Sequence, residues 1–325
     1  MIINLTHGNG GQETSRLIDE VFMKYFKNDA GTAKEDAVVL NTGRKIAFTT
    51  DSFVVKPIFF NGGDIGRLAV CGTVNDILTS GATPKYISAA FIISEGVDTD
   101  VLEKIALSMR EAADEAGVFI VTGDTKVVDG SGDIYINTSG IGEITHGHVN
   151  ARNIGAGDKI IVTGKLGDHQ ACILSVRMGI KNDVASDVAP LNSIVNALQT
   201  NGITVNGLRD ITRGGLATCL NEIAEICGLR ASLYEANIPV GANVSGFCDI
   251  LGLDPVYMAC EGKLMVIVPE GEAERALSVI RKAKYGEAAE IVGEFSEGRG
   301  VVMNTRIGGK RNLPPLRGDS LPRIC

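Results

Sequence analysis

The sequence predicts an α+β protein built from two α/β domains, residues 1–150 and 151–312, followed by an extended tail over 313–325. Three observations carry the prediction. Apolar runs of strand length, several of them beside an aspartate, alternate with segments of helical period. The alternation breaks at His146-Gly147-His148-Val149 and Asn153-Ile154-Gly155-Ala156-Gly157-Asp158, a turn-rich linker after which the pattern starts again. The last stretch holds Pro314, Pro315 and Pro322, which fix φ and remove backbone donors, so it can neither prolong a helix nor sit inside a sheet. A chain of 325 residues is long enough for two such cores.

Composition narrows the function. A net charge of -8 with no basic run excludes a nonspecific nucleic-acid surface, and an anionic substrate would need metal ions or positive dipoles to meet it. Seven cysteines without a CxxC pair, in a chain with no signal peptide, read as reduced thiols of a cytoplasmic protein without structural zinc. The longest apolar runs, such as Ile87 to Ile93, are strand length and too short for a bilayer.

The chain opens with Ile2-Ile3-Asn4-Leu5 and the loop Thr6-His7-Gly8-Asn9-Gly10-Gly11, which leads into a helical pattern through Leu17, Ile18, Val21 and Phe22. Such a loop can offer amide N–H groups to an anion or serve as a plain cap. Two strands follow, Glu35 to Leu40 and Lys45 to Ser52, carrying Asp36 and Asp51 near their ends. Asp51 and Lys56 place a carboxylate and an ammonium near each other, as a metal-phosphate site or a surface ion pair would have them. Asn61-Gly62-Gly63-Asp64 starts a helix to about Ser80. On its wheel Val70, Val74, Ile77 and Leu78 form the face expected to pack on a sheet. Ile65, Ala69, Gly72 and Asp76 lie near the opposite face, small enough for a ligand or a partner backbone, which singles out Asn75 and Asp76; a solvated carboxylate is the alternative.

A strand over Tyr86 to Ile93, a helix from about Thr99 to Ala116, a strand over Val118 to Thr122 ending in Gly123-Asp124-Thr125-Lys126, and a strand over Ile134 to Glu143 complete the first domain. Asp36, Asp51, Asp76 and Asp124 are hard oxygen ligands suited to Mg2+ carrying nucleotide phosphates, with Lys56 and Lys126 as cations beside them. The chain lacks the Gly-x-x-x-x-Gly-Lys-Ser/Thr loop of P-loop enzymes. The second domain begins with a strand at Lys159 to Thr163 and Gly164-Lys165-Leu166-Gly167-Asp168-His169 entering a helix. Arg213-Gly214-Gly215 opens another helix ending near Cys227-Gly228, with the geometry of an anion site. Strands near Ala231, Leu264, Ile291 and Val301 and a helix from about Glu272 to Lys284 make the rest α+β.

The tail can span roughly 40 Å as an extended strap. Cys325 at its end is a thiol on a tether, suited to carrying a group into a distant pocket, unless the segment is an ordinary frayed terminus. A prenylation signal is excluded, because its cysteine stands four residues from the end.

The runs GGDIGRLAVCGTVNDILTSGA, VTGDTKVV and RDITRGGLA, together with Pro322-Arg323-Ile324-Cys325, resemble the HypE family of hydrogenase maturation proteins, the carbamoyl dehydratases. That family belongs to the wider group of aminoimidazole ribonucleotide synthetase-like ATP-using enzymes. The resemblance runs from His7 to Cys325 and departs at Cys260, where the family has asparagine, and at Gln170, where it has glycine. It implies an N-terminal ATP-binding domain that dimerises, and ATP with Mg2+ as cofactors. It further implies dehydration of a carbamoyl group on Cys325 to a cyano group destined for the iron of [NiFe]-hydrogenase. A carbamoyltransferase, HypF, would load Cys325, and a HypC–HypD iron-assembly complex would accept the cyanide. The resemblance makes Asp36, Asp51, Asp76 and Asp124 metal-holding residues, with Lys56 and Asn75 also on the nucleotide. Lys126 and Glu261 become candidates to orient the carboxamide and take its proton, or else a pair that only stabilises an interface. A relative that phosphorylates a free small molecule, such as a selenophosphate synthetase or thiamine-phosphate kinase, and a nucleotide-binding scaffold without turnover are the competing expectations.

Overall fold

The computed structural model describes residues 38–41, 43–130 and 132–316, together with Gln12. The glycine loop at residues 8–11, His7, Asp36, Arg323 and Cys325 lie outside the described residues.

Among the described residues, the N-terminal domain is a five-stranded sheet, in the order β1-β2-β7-β5-β6, backed by two helices. Its strands are β1 (Val38–Asn41), β2 (Lys45–Phe53), β5 (Thr83–Ser94), β6 (Phe119–Val128) and β7 (Ile134–Glu143), and its helices are α1 (Ile65–Thr79) and α2 (Thr99–Ala116). A short hairpin, β3 (Phe59–Phe60) with β4 (Gly63–Asp64), takes the residues expected to open α1. Asp64 then caps the helix, its carboxylate accepting the Gly66 N–H at 2.6 Å and the Arg67 N–H at 3.1 Å. The crossover β5-α2-β6 is parallel, and α2 ends at Gly117 in the left-handed conformation that a residue without Cβ adopts freely.

The wheel of α1 misassigns its faces. Gly72 and Asp76, on the face expected to admit a ligand or partner, meet β2: a Cβ at Gly72 would stand 2.8 Å from the Phe53 ring, and Asp76 accepts from Thr49. Ile77 does pack on the sheet, against Gly140 and Gly142 of β7. The physical reason is burial on every side, since α2, the sheet and the second domain all pack on this helix. An apolar wheel then carries little directional signal.

The C-terminal domain is a seven-stranded mixed sheet, β14-β13-β10-β12-β8-β11-β9. Its strands are β8 (Lys159–Val162), β9 (Gly207–Asp210), β10 (Arg230–Tyr234), β11 (Leu264–Val268), β12 (Glu290–Ser296), β13 (Gly300–Asn304) and β14 (Lys310–Asn312). The helices α3 (Asp168–Met178), α4 (Asn192–Thr200), α5 (Gly215–Cys227), α6 (Ala242–Leu251) and α7 (Ala273–Lys282) cover it. Leu216, Leu220 and Ile223 of α5 pack on one face with Ile160, Val162 and Ile267. On the other face Ile194 and Leu198 of α4 and Leu277 and Ile280 of α7 join Ile161, Leu264 and Val266. That cluster continues into Leu68, Val70 and Val74 of α1, so the two domains share a hydrophobic core. At the far edge Leu313 is 2% exposed, donates its N–H to Val301 O at 2.9 Å and accepts from Asn221 at 2.8 Å. The Tyr257 hydroxyl donates to Pro314 O at 2.7 Å, so the chain leaves the domain from a fixed point.

Candidate active site

The acids expected to hold a nucleotide divide between two places. Asp51 lies on β2 on the side of α1, where a Cβ at Gly72 would be 3.8 Å from its Oδ2, and its Oδ1 accepts the Ser52 N–H at 2.7 Å. Asp76 Oδ2 accepts the Thr49 hydroxyl at 2.8 Å. The alternation of β2 puts Thr49 and Asp51 on the same side of the sheet, and one turn of α1 separates Gly72 from Asp76, so the two carboxylates line one helix-strand contact. Asn75, one residue before Asp76, is 2% exposed and faces the second domain. Its Nδ2 donates to Ala189 O at 3.0 Å and its Oδ1 accepts the Leu191 N–H at 3.0 Å, so it clamps backbone there.

Asp124 and Lys126 sit in the middle of β6, because the strand runs on to Val128 past the Thr122 expected to end it. They are in register with Ala90 and Ile92 of β5, which alternate with the buried Ala89 and Ile93 that face the helices. The two side chains, each 64% exposed, form an ion pair with one another, and Lys126 holds the Asp124 carboxyl below its usual range. Lys56 pairs with Asp133 at 2.5 Å, which raises its ammonium pKa through that hydrogen bond.

Glu261 stands across the domain boundary, in the segment that follows α6 and precedes β11. Burial pushes its carboxyl well above the usual range, and the negative charges of Asp210, Asp187 and Asp51 push it further, against Arg213. A group of the C-terminal domain thus feels the Asp51 end of the N-terminal site. The segment is built tightly. Gly215, at φ +63°, lets the start of α5 touch residues 256–258, since a Cβ there would lie 2.5 Å from the Tyr257 carbonyl carbon. That close approach accounts for Gly215, while Gly214, at φ +78°, is kept small by Thr218, whose Oγ1 a Cβ there would meet at 2.4 Å.

Cys260 and Gln170, the positions expected to depart from the family pattern, both form contacts in this segment. The Gly167 N–H donates to Cys260 Sγ at 3.3 Å, and the Gln170 Oε1 accepts the Ala259 N–H at 2.7 Å. Burial pushes the Cys260 thiol well up, so it is a neutral packing group here.

Among the described residues, no three His, Cys, Asp or Glu side chains converge as a metal cage. Asp51 and Asp76 nonetheless fit Mg2+, which takes one or two carboxylates from a protein and completes its octahedron with phosphate oxygens and water. Sequence reasoning missed Asp187, buried between Glu261 and Lys263, because the run Ser186-Asp187-Val188-Ala189-Pro190 has no period and no recognisable spacing. Asp210 and Arg213 stood in the glycine-rich run, but as an anion site and not as neighbours of Glu261.

Two family descriptions match the chain, the AIR synthase related protein N-terminal domain over residues 34–144 and its C-terminal domain over 155–305. The chain is 45% identical to "Carbamoyl dehydratase HypE" of Rhodobacter capsulatus, covering 99% of this chain and 98% of that protein. It superposes on a crystal structure of the HypE-HypF complex with a TM-score of 0.87 and 47% identity, over 91% of this chain and 98% of that one. A crystal structure of hydrogenase maturation protein HypE in complex with ATP matches at a TM-score of 0.84 and 46% identity, over the full length of both chains. Among the described residues, no helix is long and apolar enough to cross a membrane.

Proposed function

The chain belongs to the HypE family of carbamoyl dehydratases, built on the two AIR synthase related domains, and from that membership we propose how its residues carry out the reaction. ATP phosphorylates the oxygen of a carbamoyl group held on the Cys325 sulfur. Loss of one N–H proton with that transfer leaves a phosphorylated imidate and ADP; the C–O bond then breaks with phosphate leaving as the second N–H proton is removed, and S–C≡N remains. An amide oxygen leaves poorly and a phosphate leaves well, so the protein's task is positioning and charge neutralisation.

Asp51 and Asp76 would hold Mg2+ on the phosphates, with Asp36 and Asp124 as the further acids of the set. The ion, when bound, neutralises phosphate charge. Lys56 and Asn75 border the nucleotide, Asn75 through the interdomain backbone that it clamps. Glu261 takes an N–H proton and Lys126 orients the carboxamide. The observation that carries this assignment is the interdomain grip beside Glu261: Asp187 accepts the Glu261 and Gly262 N–H groups, while Asn75, next to Asp76, holds the backbone of Ala189 and Leu191.

Residues 1–150 would bind ATP and dimerise, residues 151–312 would bring Glu261, and the tail over 313–325 would present the sulfur. The dimer is supported by a row in register across four strands: Phe48, Ile141, Tyr86 and Phe119. These side chains are 37%, 37%, 49% and 69% exposed, an apolar ladder on a single protomer. Asp124 and Lys126 lie on the same side of the sheet, away from α1, so a second protomer docked there would bring them to its own site. HypF would load Cys325, and a HypC–HypD complex would take the cyanide.

The test is the intact mass of protein loaded by its carbamoyltransferase. Mg-ATP should remove the mass of one water from an adduct mapped to Cys325, and Cys325→Ala should form no adduct while still binding ATP. An adduct that ignores ATP overturns the assignment. Light scattering should return a dimer mass, and Phe119→Asp should return a monomer.

A further inference from the structure

Residues 184–191 lie between the domains and are gripped from both. On the N-terminal side, Asn61 O accepts the Ser186 N–H at 2.8 Å, the Arg67 Nε donates to Val188 O at 3.1 Å, and Asn75 takes the backbone of Ala189 and Leu191. On the C-terminal side, the Glu261 N–H donates to Asp187 Oδ1 at 3.1 Å and the Gly262 N–H to Oδ2 at 3.3 Å. Lys263 Nζ stands 3.0 Å from Oδ2, and the side chains of Asp187 and Lys263 are 5% and 11% exposed. A Cβ at Gly262 would meet the Asp187 carbonyl oxygen at 1.8 Å, so only glycine lets the two backbones touch.

An ion pair this deep is a poor source of stability, because taking both charges out of water offsets their attraction. What it supplies is direction. Two of the three donors on the carboxylate are the amides of Glu261 and its neighbour, which ties the position of the Glu261 Cα to a segment that the N-terminal domain already holds.

We propose that Asp187 is a positioning residue for the dehydration, fixing Glu261 against the N-terminal domain and so setting its distance from the Asp51 and Asp76 end of the site. The inference rests on the role given above to Glu261. Asp187 need not touch substrate. It acts through the backbone of residues 261 and 262.

The experiment is a double-mutant cycle on full-length, carbamoyl-loaded protein, with conversion to the cyano form read by mass and ATP binding and melting temperature measured in parallel. Asp187→Asn should lower kcat by about 10²-fold, the effect of a misplacement near 1 Å, with the KM for ATP unchanged. In the Glu261→Gln background the same substitution should cost no further activity, because both changes remove one function. Losses that multiply overturn the inference and leave the Glu261 assignment standing. Full turnover in Glu261→Gln alone overturns both. Should Asp187→Asn fail to fold, Lys263→Gln, which leaves both amide acceptors of Asp187 in place, should keep kcat near wild type; a loss as deep as that of Glu261→Gln overturns the inference.

Discussion

Glu261 shows how far a residue's chemistry is set by what faces it. Burial, and then Asp210, Asp187 and Asp51, hold its carboxyl protonated above the usual range. A base must first lose its own proton, so turnover should rise with pH through that raised value, and Glu261→Gln should be slow and flat across the same range. The stability effect has the opposite sign. Between the ordinary glutamate value and the raised one, the folded protein binds a proton that the unfolded chain has released, so stability falls as pH climbs through this window. Glu261→Gln should therefore melt higher than wild type at neutral pH, measured by calorimetry; an unchanged melting temperature would falsify the raised carboxyl. None of this was legible locally. A lone Glu before a Gly reads as turn chemistry, and only the resemblance singled it out, because its neighbours come from residues 51, 187 and 210.

Among the elements, most strands of the first domain were legible as apolar runs of strand length, and β7 (Ile134–Glu143), whose buried positions alternate, matches the expected span. Helix α2 was legible for a matching reason, with one buried stripe and Gly117 at its end. The errors fall where burial removes the pattern. Helix α1 is enclosed, and β6 carries its acid and lysine in mid-strand, so a polar run read as the strand's end was part of it. Helices α4 and α6 carried no signal strong enough to be expected. The start of α5 offers a test at this scale. Gly215→Ala places a Cβ 2.5 Å from the Tyr257 carbonyl carbon at a φ of +63°, and should cost more than about 1 kcal/mol in denaturant unfolding. Because residues 256–258 lead directly to Glu261, the same variant should also lose turnover. Full activity at reduced stability would separate the two segments.

At the scale of the whole molecule, the domains are locked by charge as well as by the shared core. Glu115 of α2 accepts from Arg67 of α1 at 2.8 Å, from Lys284 of the other domain at 2.5 Å, and from the Tyr285 hydroxyl. Burial alone would raise this carboxyl; the hydrogen bonds from Lys284, Tyr285 and Arg67 outweigh it and bring it down to about 2. A depressed carboxyl contributes stability that is complete above the unfolded value of about 4.3 and is lost as pH falls toward about 2. Acid unfolding of the wild type should steepen in that interval, and Glu115→Gln should lose the steepening while leaving neutral-pH activity intact. The two-domain division was legible from length and the glycine-rich linker, but this lock was not, since it joins residues 169 positions apart.

The fixed exit of the chain at Leu313 and Pro314 has a consequence in kinetics. Nine peptide units separate Leu316 from Cys325, so the sulfur stays within about 32 Å of Leu316 at full contour, whatever path the chain takes. The substrate is thereby confined to a small sphere around its own enzyme. Its arrival is an intramolecular event with a local concentration set by that radius, and cyano formation on a loaded molecule should be first order, with a rate constant indifferent to how much protein is in the tube.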